Sequence, residues 1–241
     1  MPWNHESAAR YDKWSTSTRG GFALRQEEKL LQSVIASWPR RKQKLLDVGC
    51  GTGMFLEFFW SCGFDLTALD KSPDMLSRAR EKIGHRADLH LGSAEHLPFE
   101  DREFDYVSLL TVLEFVDDPD LALREAARVS RKGLVIGFLN SWSLYGLSVR
   151  LEKKNSTLSR ARWFSWPEMR GMIQKNLSPG SIEARSILLG PPCTWIPTPG
   201  IRHLNSTPVP PWMGAFTAIR IDLTAQPAQT PLLAWKTEPT T

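Results

Sequence analysis

Residues 44–55 read KLLDVGCGTGMF. The apolar run Leu45-Leu46-Asp47-Val48 stops at three alternating glycines, Gly49, Gly51 and Gly53, and apolar residues resume at Met54. A strand that ends in side-chain-free residues and turns into a helix presents unpaired backbone N–H groups to an electron-rich ligand. Glycine permits the close approach such a ligand needs. Spacing then separates ligand classes. A dinucleotide fingerprint is G-x-G-x-x-G/A, but from Gly49 this chain reads G-C-G-T-G-M, with Met54 at the third small position. What stands instead is D-x-G-x-G-x-G, an acid two residues ahead of the first glycine.

Outward from this turn, strand-like runs at 45–49, 65–70, 87–91, 104–110 and 133–139 alternate with helical patterns at 55–62, 73–82 and 119–130. The last pattern opens on Asp118-Pro119, a good helix start, and carries Leu121, Leu123, Ala126, Ala127 and Val129 mostly on one side. Such alternation implies parallel strands joined by right-handed crossovers, a doubly wound α/β sheet. After Leu139 the rhythm changes. Residues 133–149 read as a buried strand running into a loop, 166–177 as a helix opened by Pro167, and 182–190 and 214–223 as strands. Residues 191–212 form a proline-dense insertion, and 224–241 read as a poorly ordered tail.

A chain of 241 residues can fill one α/β domain without disulfide or metal support. Its three cysteines, Cys50, Cys62 and Cys193, are irregularly spaced, which fits a reducing cytoplasm and no zinc site. The five histidines show no ligand spacing, so no metal is expected. No secretory signal or membrane span is legible. The net charge of +4 is spread thinly apart from RRKQK at 40–44, which reads as a solvated face rather than a nucleic-acid site.

Four blocks in order are LLDVGCGTG (45–53), ALDKSPDML (68–76), LGSAEHLPFEDREFDYV (91–107) and LLTVLEFVDDPDLALREAARVSRKG (109–133). Together they resemble the class I S-adenosylmethionine-dependent methyltransferases, above all the small bacterial and archaeal type 11 group. The resemblance covers residues 8–140 well and 160–180 loosely. It implies a Rossmann-like, three-layer α/β/α domain over residues 1–223, with a mostly parallel seven-stranded sheet and an antiparallel last strand. Within it, 1–36 would be N-terminal lid helices, 43–140 the cofactor core, and 140–166 and 191–212 acceptor-side insertions.

The resemblance implies S-adenosylmethionine as methyl donor and S-adenosylhomocysteine as product. Asp70, closing the second strand, would accept from both ribose hydroxyls, with Ser72 and Asp74 better suited to capping the next helix. Met75 would cover an adenine face, beside Lys71. Where the family carries Asp, this chain has Ser93; Ser93, the Ala94 N–H and Glu95 would serve the adenine instead. Asp47 and the backbone around Gly49 and Leu110 would face the methionine part, Gly49, Gly51 and Gly53 would clear space for the aminoacyl and ribose parts, and Cys50 would belong to the same cofactor-binding turn. Tyr11, Trp14 and Arg19 of the segment AARYDKWSTSTRGGFALRQEEKLL (8–31) would face inwards.

Methyl transfer from a sulfonium needs orientation and water exclusion more than proton transfer. Only Glu114, where relatives often carry His, and Tyr11 stand as candidates for a direct catalytic part. Arg150, Lys153, Lys154, Arg160 and Arg162 are interleaved with Trp142, Tyr145, Trp163, Phe164 and Trp166. That mixture suggests a small acceptor, aromatic or anionic, although the aromatics read equally well as core. Two decoys, VPPW (209–212) and PPC (191–193), mimic motifs of DNA methyltransferases but lie far from the fourth strand, where such motifs belong, so DNA is not expected. The competing readings are a non-catalytic cofactor-binding protein, a methyltransferase of RNA or protein, and a nicotinamide oxidoreductase. The last lacks both its fingerprint and any Tyr-x-x-x-Lys.

Overall fold

The computed structural model describes residues 5–151 and 161–223 of the chain. Lys153, Lys154, Arg160 and the tail at 224–241 lie outside the described residues. Two helices, α1 (His5–Thr16) and α2 (Thr18–Val34), precede β1 (Lys44–Val48), α3 (Leu56–Ser61), β2 (Asp65–Asp70), α4 (Pro73–Ile83), β3 (Ala87–Leu91) and β4 (Phe104–Leu110). Then follow α5 (Pro119–Val129), β5 (Ser130–Leu139), α6 (Leu144–Leu151), α7 (Trp166–Asn176), β6 (Pro179–Ile187), α8 (Ile201–Ser206) and β7 (Phe216–Leu223). The sheet order is β3-β2-β1-β4-β5-β7-β6. All neighbours are parallel except β7, which runs antiparallel to both β5 and β6.

Alternating residues along the strands feed two cores. Leu46, Val48, Val107, Leu109, Leu134 and Ile136 pack with α5 and α7. Leu45, Leu66, Tyr106, Leu110 and Val135 face α2 and α3. Since β4 is buried along its whole length, it sits between the two helical layers, and this is why its sequence reads as a continuous apolar run. Trp38, just past α2, stacks on Tyr106 at 4.0 Å and donates its Nε1 hydrogen to Asp222 of β7 at 2.9 Å.

Three helix starts are set by the polar residues that precede them. Ser72 caps α4 through the Met75 N–H, Asp118 caps α5 through the Leu121 N–H, and Ser165 with Glu168 forms a capping box on α7. The expectation of a loop after Leu139 is corrected. Residues 144–151 form α6, because the Ser143 hydroxyl accepts from the Gly146 N–H at 3.0 Å and satisfies the first turn. The proline-dense insertion is also structured. Pro192–Thr194 forms a 3-10 turn, and Asn205 of α8 ties back to it by accepting from the Gly190 N–H and donating to the Thr194 carbonyl. Phe22, Ala23, Leu30, Leu31 and Val34 pack α2 into the second core.

Candidate active site

Strand order reverses between β1 and β4, so a crevice opens at their carboxyl ends. There the glycine turn runs at positive φ throughout, +68° at Gly49, +55° at Gly51 and +77° at Gly53. The three differ in what surrounds them. A Cβ at Gly49 would lie 2.6 Å from Val112 Cγ2, and one at Gly53 would lie 3.1 Å from the α4 backbone at Ala79. Only at Gly51 would it meet open space. Gly53 therefore serves the contact between turn and α4 and does not line the crevice, against expectation.

Asp70 organises this end. Its two carboxylate oxygens accept from the Gly51 N–H at 2.8 Å and the Ser72 N–H at 2.9 Å. Burial raises its pKa, and these two N–H donors oppose the rise. Each oxygen keeps a further lone pair for a ligand hydroxyl. Asp47, in register with Ser108 on the neighbouring strand, accepts that hydroxyl. Burial pushes Asp47 up to about 7, opposed by the Ser108 bond and helped by the charge of Asp70.

A single cavity of about 590 Å³ gathers most of the expected residues. Tyr11, Asp47, Gly49, Cys50, Gly51, Asp70, Lys71, Met75, Ala94, Glu95 and Leu110 all line it. Ser93 does not; its hydroxyl donates to Glu95, whose other oxygen accepts from the Asp117 N–H at 3.0 Å. Against burial, these bonds hold Glu95 below the usual carboxylate range. The anion at this corner is thus Glu95, with Ser93 orienting it.

Glu114 stands behind the wall rather than in it. One oxygen accepts from the Leu139 N–H at 2.8 Å and clamps the end of β4 to the end of β5. The other has no partner among the described residues, and burial raises the group to about 7. Tyr11 reaches in from α1, bonded to the Thr111 hydroxyl and stacked on Trp14 at 6.0 Å; burial and the nearby charge of Glu27 raise its pKa. Arg19 is exposed and apart from the cavity, correcting its inward placement.

Beyond Leu110 the cavity becomes an apolar chamber. Tyr145 of α6 meets Trp195 edge-on at 5.0 Å, and Leu188, Ala215 and Phe216 complete the wall. Of the aromatics singled out in the sequence, Phe164 is core, Trp142 is exposed, and only Tyr145 lines the chamber. Arg150 and Arg162 are exposed, so neither places a cation in it.

Sequence reasoning missed Glu27, a buried acid of α2 that lines the cavity, and Thr111, a β-branched residue at φ +53°. Glu27 sits in an amphipathic helix beside Glu28, where its spacing looks like an ordinary solvated face. Positive φ at a β-branched residue leaves no trace in sequence.

Residues 46–137 match a family described as a methyltransferase domain. A malonyl-[acyl-carrier protein] O-methyltransferase of Erwinia billingiae is 36% identical over 126 residues, 50% of this chain and 49% of that protein. The chain thus spans about half the length of the characterised relatives of this kind that it matches. An uncharacterized protein of Methanocaldococcus jannaschii is 30% identical over 174 residues, 70% of this chain and 77% of that one. Among solved structures, a Thermotoga maritima "SAM-dependent methyltransferase, possible histamine N-methyltransferase" superposes with a TM-score of 0.73 at 25% identity, covering 91% of this chain and 98% of its own. With the sheet order, the glycine turn and its strand-end acid already in place, these likenesses settle the family: the chain belongs to the class I S-adenosylmethionine-dependent methyltransferases, in the type 11 group.

Proposed function

We propose that the protein transfers a methyl group from S-adenosylmethionine to a small, largely apolar acceptor. One observation carries this reading: the cavity joins the Asp70–Gly51 corner to a chamber walled by Tyr145, Trp195 and Phe216 without a break. The residues fit the cofactor. Asp70 retains acceptor capacity for ribose hydroxyls, Gly51 leaves room where a side chain would intrude, Met75 and Ala94 offer an apolar slot beside Glu95, and Asp47 offers a carboxyl towards a cationic amino group. When bound, S-adenosylmethionine supplies a methyl group on an activated sulfonium leaving group. The chain's own share is to align the acceptor and exclude water, which is worth several kcal/mol without any proton transfer.

In this reading α1 is the lid, with Ser7, Arg10, Tyr11 and Trp14 on its inner side. Its Asp12 pairs with Lys82 of α4, which also reaches Thr52. No helix among the described residues is long and apolar enough to cross a membrane, and a cytoplasmic setting remains part of the proposal. The exposed Arg150 and Arg162 give no support to an anionic acceptor. Incubating the protein with methyl-labelled S-adenosylmethionine and a panel of small aromatic and aliphatic nucleophiles tests the reading. Label should appear in a small-molecule product; label appearing only in added RNA or protein would move the acceptor to those classes.

A further inference from the structure

We propose that Glu27 is the acceptor-recognition group of the chamber, and that the acceptor is an amine carried on an apolar body. The proposal rests on the methyltransferase reading above. Glu27 is 8% exposed and lines the cavity, yet makes no hydrogen bond or ion pair with any described residue. Buried carboxyls without partners are costly, and a site that keeps one is complete only when a ligand supplies the missing donor. The charges around it select which donor. Tyr11 from α1 feels Glu27, Glu114 and Asp12, all acidic, and Glu28 lies next to Glu27 on α2. The cationic lining residues sit elsewhere: Lys71 acts on Asp70 and Glu95, and Arg10 bonds Glu6. An anionic acceptor would meet only repulsion here. A protonated amine would meet a carboxylate in a cavity that the rings of Tyr145, Trp195 and Phe216 also line.

The same burial gives the pair a chemical use. It raises Glu27 to about 8, which makes its carboxylate a stronger proton acceptor than an ordinary carboxylate. The N–H bond of the ammonium breaks, an O–H bond forms on Glu27, and the nitrogen regains the lone pair that methylation requires. That lone pair then forms the N–C bond while the C–S bond breaks, its electrons staying on sulfur; the positive charge passes to the methylated nitrogen.

Calorimetry of the full chain saturated with S-adenosylhomocysteine tests this with three matched probes: 2-phenylethylamine, 2-phenylethanol and 3-phenylpropanoate. The wild type should bind the amine about tenfold or more tighter than either alternative, as expected for a charge-assisted hydrogen bond. Glu27→Gln should abolish that preference, keep its S-adenosylhomocysteine affinity within about twofold and retain a cooperative thermal transition. Equal or better binding of the alcohol or carboxylate, no binding of the amine, or a Glu27→Gln loss that falls on S-adenosylhomocysteine instead would each overturn the assignment. Failure of the wild type to bind S-adenosylhomocysteine would instead remove the methyltransferase reading beneath it.

Discussion

At the scale of single residues, the glycine turn separates two requirements that sequence merges. All three glycines were legible as a close-approach turn, but the object approached differs: a side chain at Gly49, a helix at Gly53, and the cavity at Gly51. Gly49→Ala should destabilise the fold by about 2 kcal/mol or more, combining φ strain with a clash against Val112. Gly51→Ala has room for its Cβ, so it should cost only about 1 kcal/mol while weakening S-adenosylhomocysteine more than Gly49→Ala weakens it at equal folded fraction. Urea titration beside ligand titration checks both, and equal effects of the two substitutions would contradict the distinction. That Asp70 and Met75 line the cavity was legible because motif and strand end coincide. Ser93 does not line the cavity itself; its hydroxyl is donated to Glu95, a side-chain pairing that residue type alone does not reveal.

At the scale of elements, β1 to β5 and α3 to α5 were placed within a few residues, because the inner strands β1, β4 and β5 read as apolar runs and α4 and α5 open on polar caps. α6 did not, since its cap, Ser143, lies in a serine-rich stretch that reads as loop. α1 and α2 are a pair in sequence but not in role: α2 is locked into the core, whereas α1 is held to α4 through the Asp12–Lys82 pair. Lys82→Ala should therefore leave global stability nearly unchanged, because a partly exposed pair contributes little. It should speed amide exchange in α1 and weaken cofactor affinity several-fold, since opening of a single element is governed by its own few contacts. Hydrogen exchange with and without S-adenosylhomocysteine reads this; unchanged exchange in α1 would mean that its packing on α2, not the tether, holds it.

For the whole molecule, the sheet order and crevice followed from the rhythm of apolar runs, whereas the buried acids around the cavity did not, because burial depends on contacts far apart in sequence. Those acids give the protein a distinctive pH response. Burial raises Glu27 to about 8 and Asp47 and Glu114 to about 7, so the folded chain binds more protons than the unfolded chain between roughly pH 4.5 and 8. Stability should fall as pH rises through that window. Groups of opposite sign, such as Glu125 held down by Arg128, lose their contribution only at lower pH. Thermal melts should show a midpoint several degrees higher near pH 5.5 than near pH 8, and Glu27→Gln with Glu114→Gln should flatten the dependence. A cofactor site built on Asp70 and Gly51 at the β1–β4 crevice can be read out by calorimetric titration with S-adenosylhomocysteine, with NADH as control and Asp70→Asn alongside. S-adenosylhomocysteine should bind with an affinity on the order of micromolar, weakened about tenfold or more in the variant, and NADH should not bind. Binding of NADH in place of S-adenosylhomocysteine, or wild-type affinity in Asp70→Asn, would contradict it.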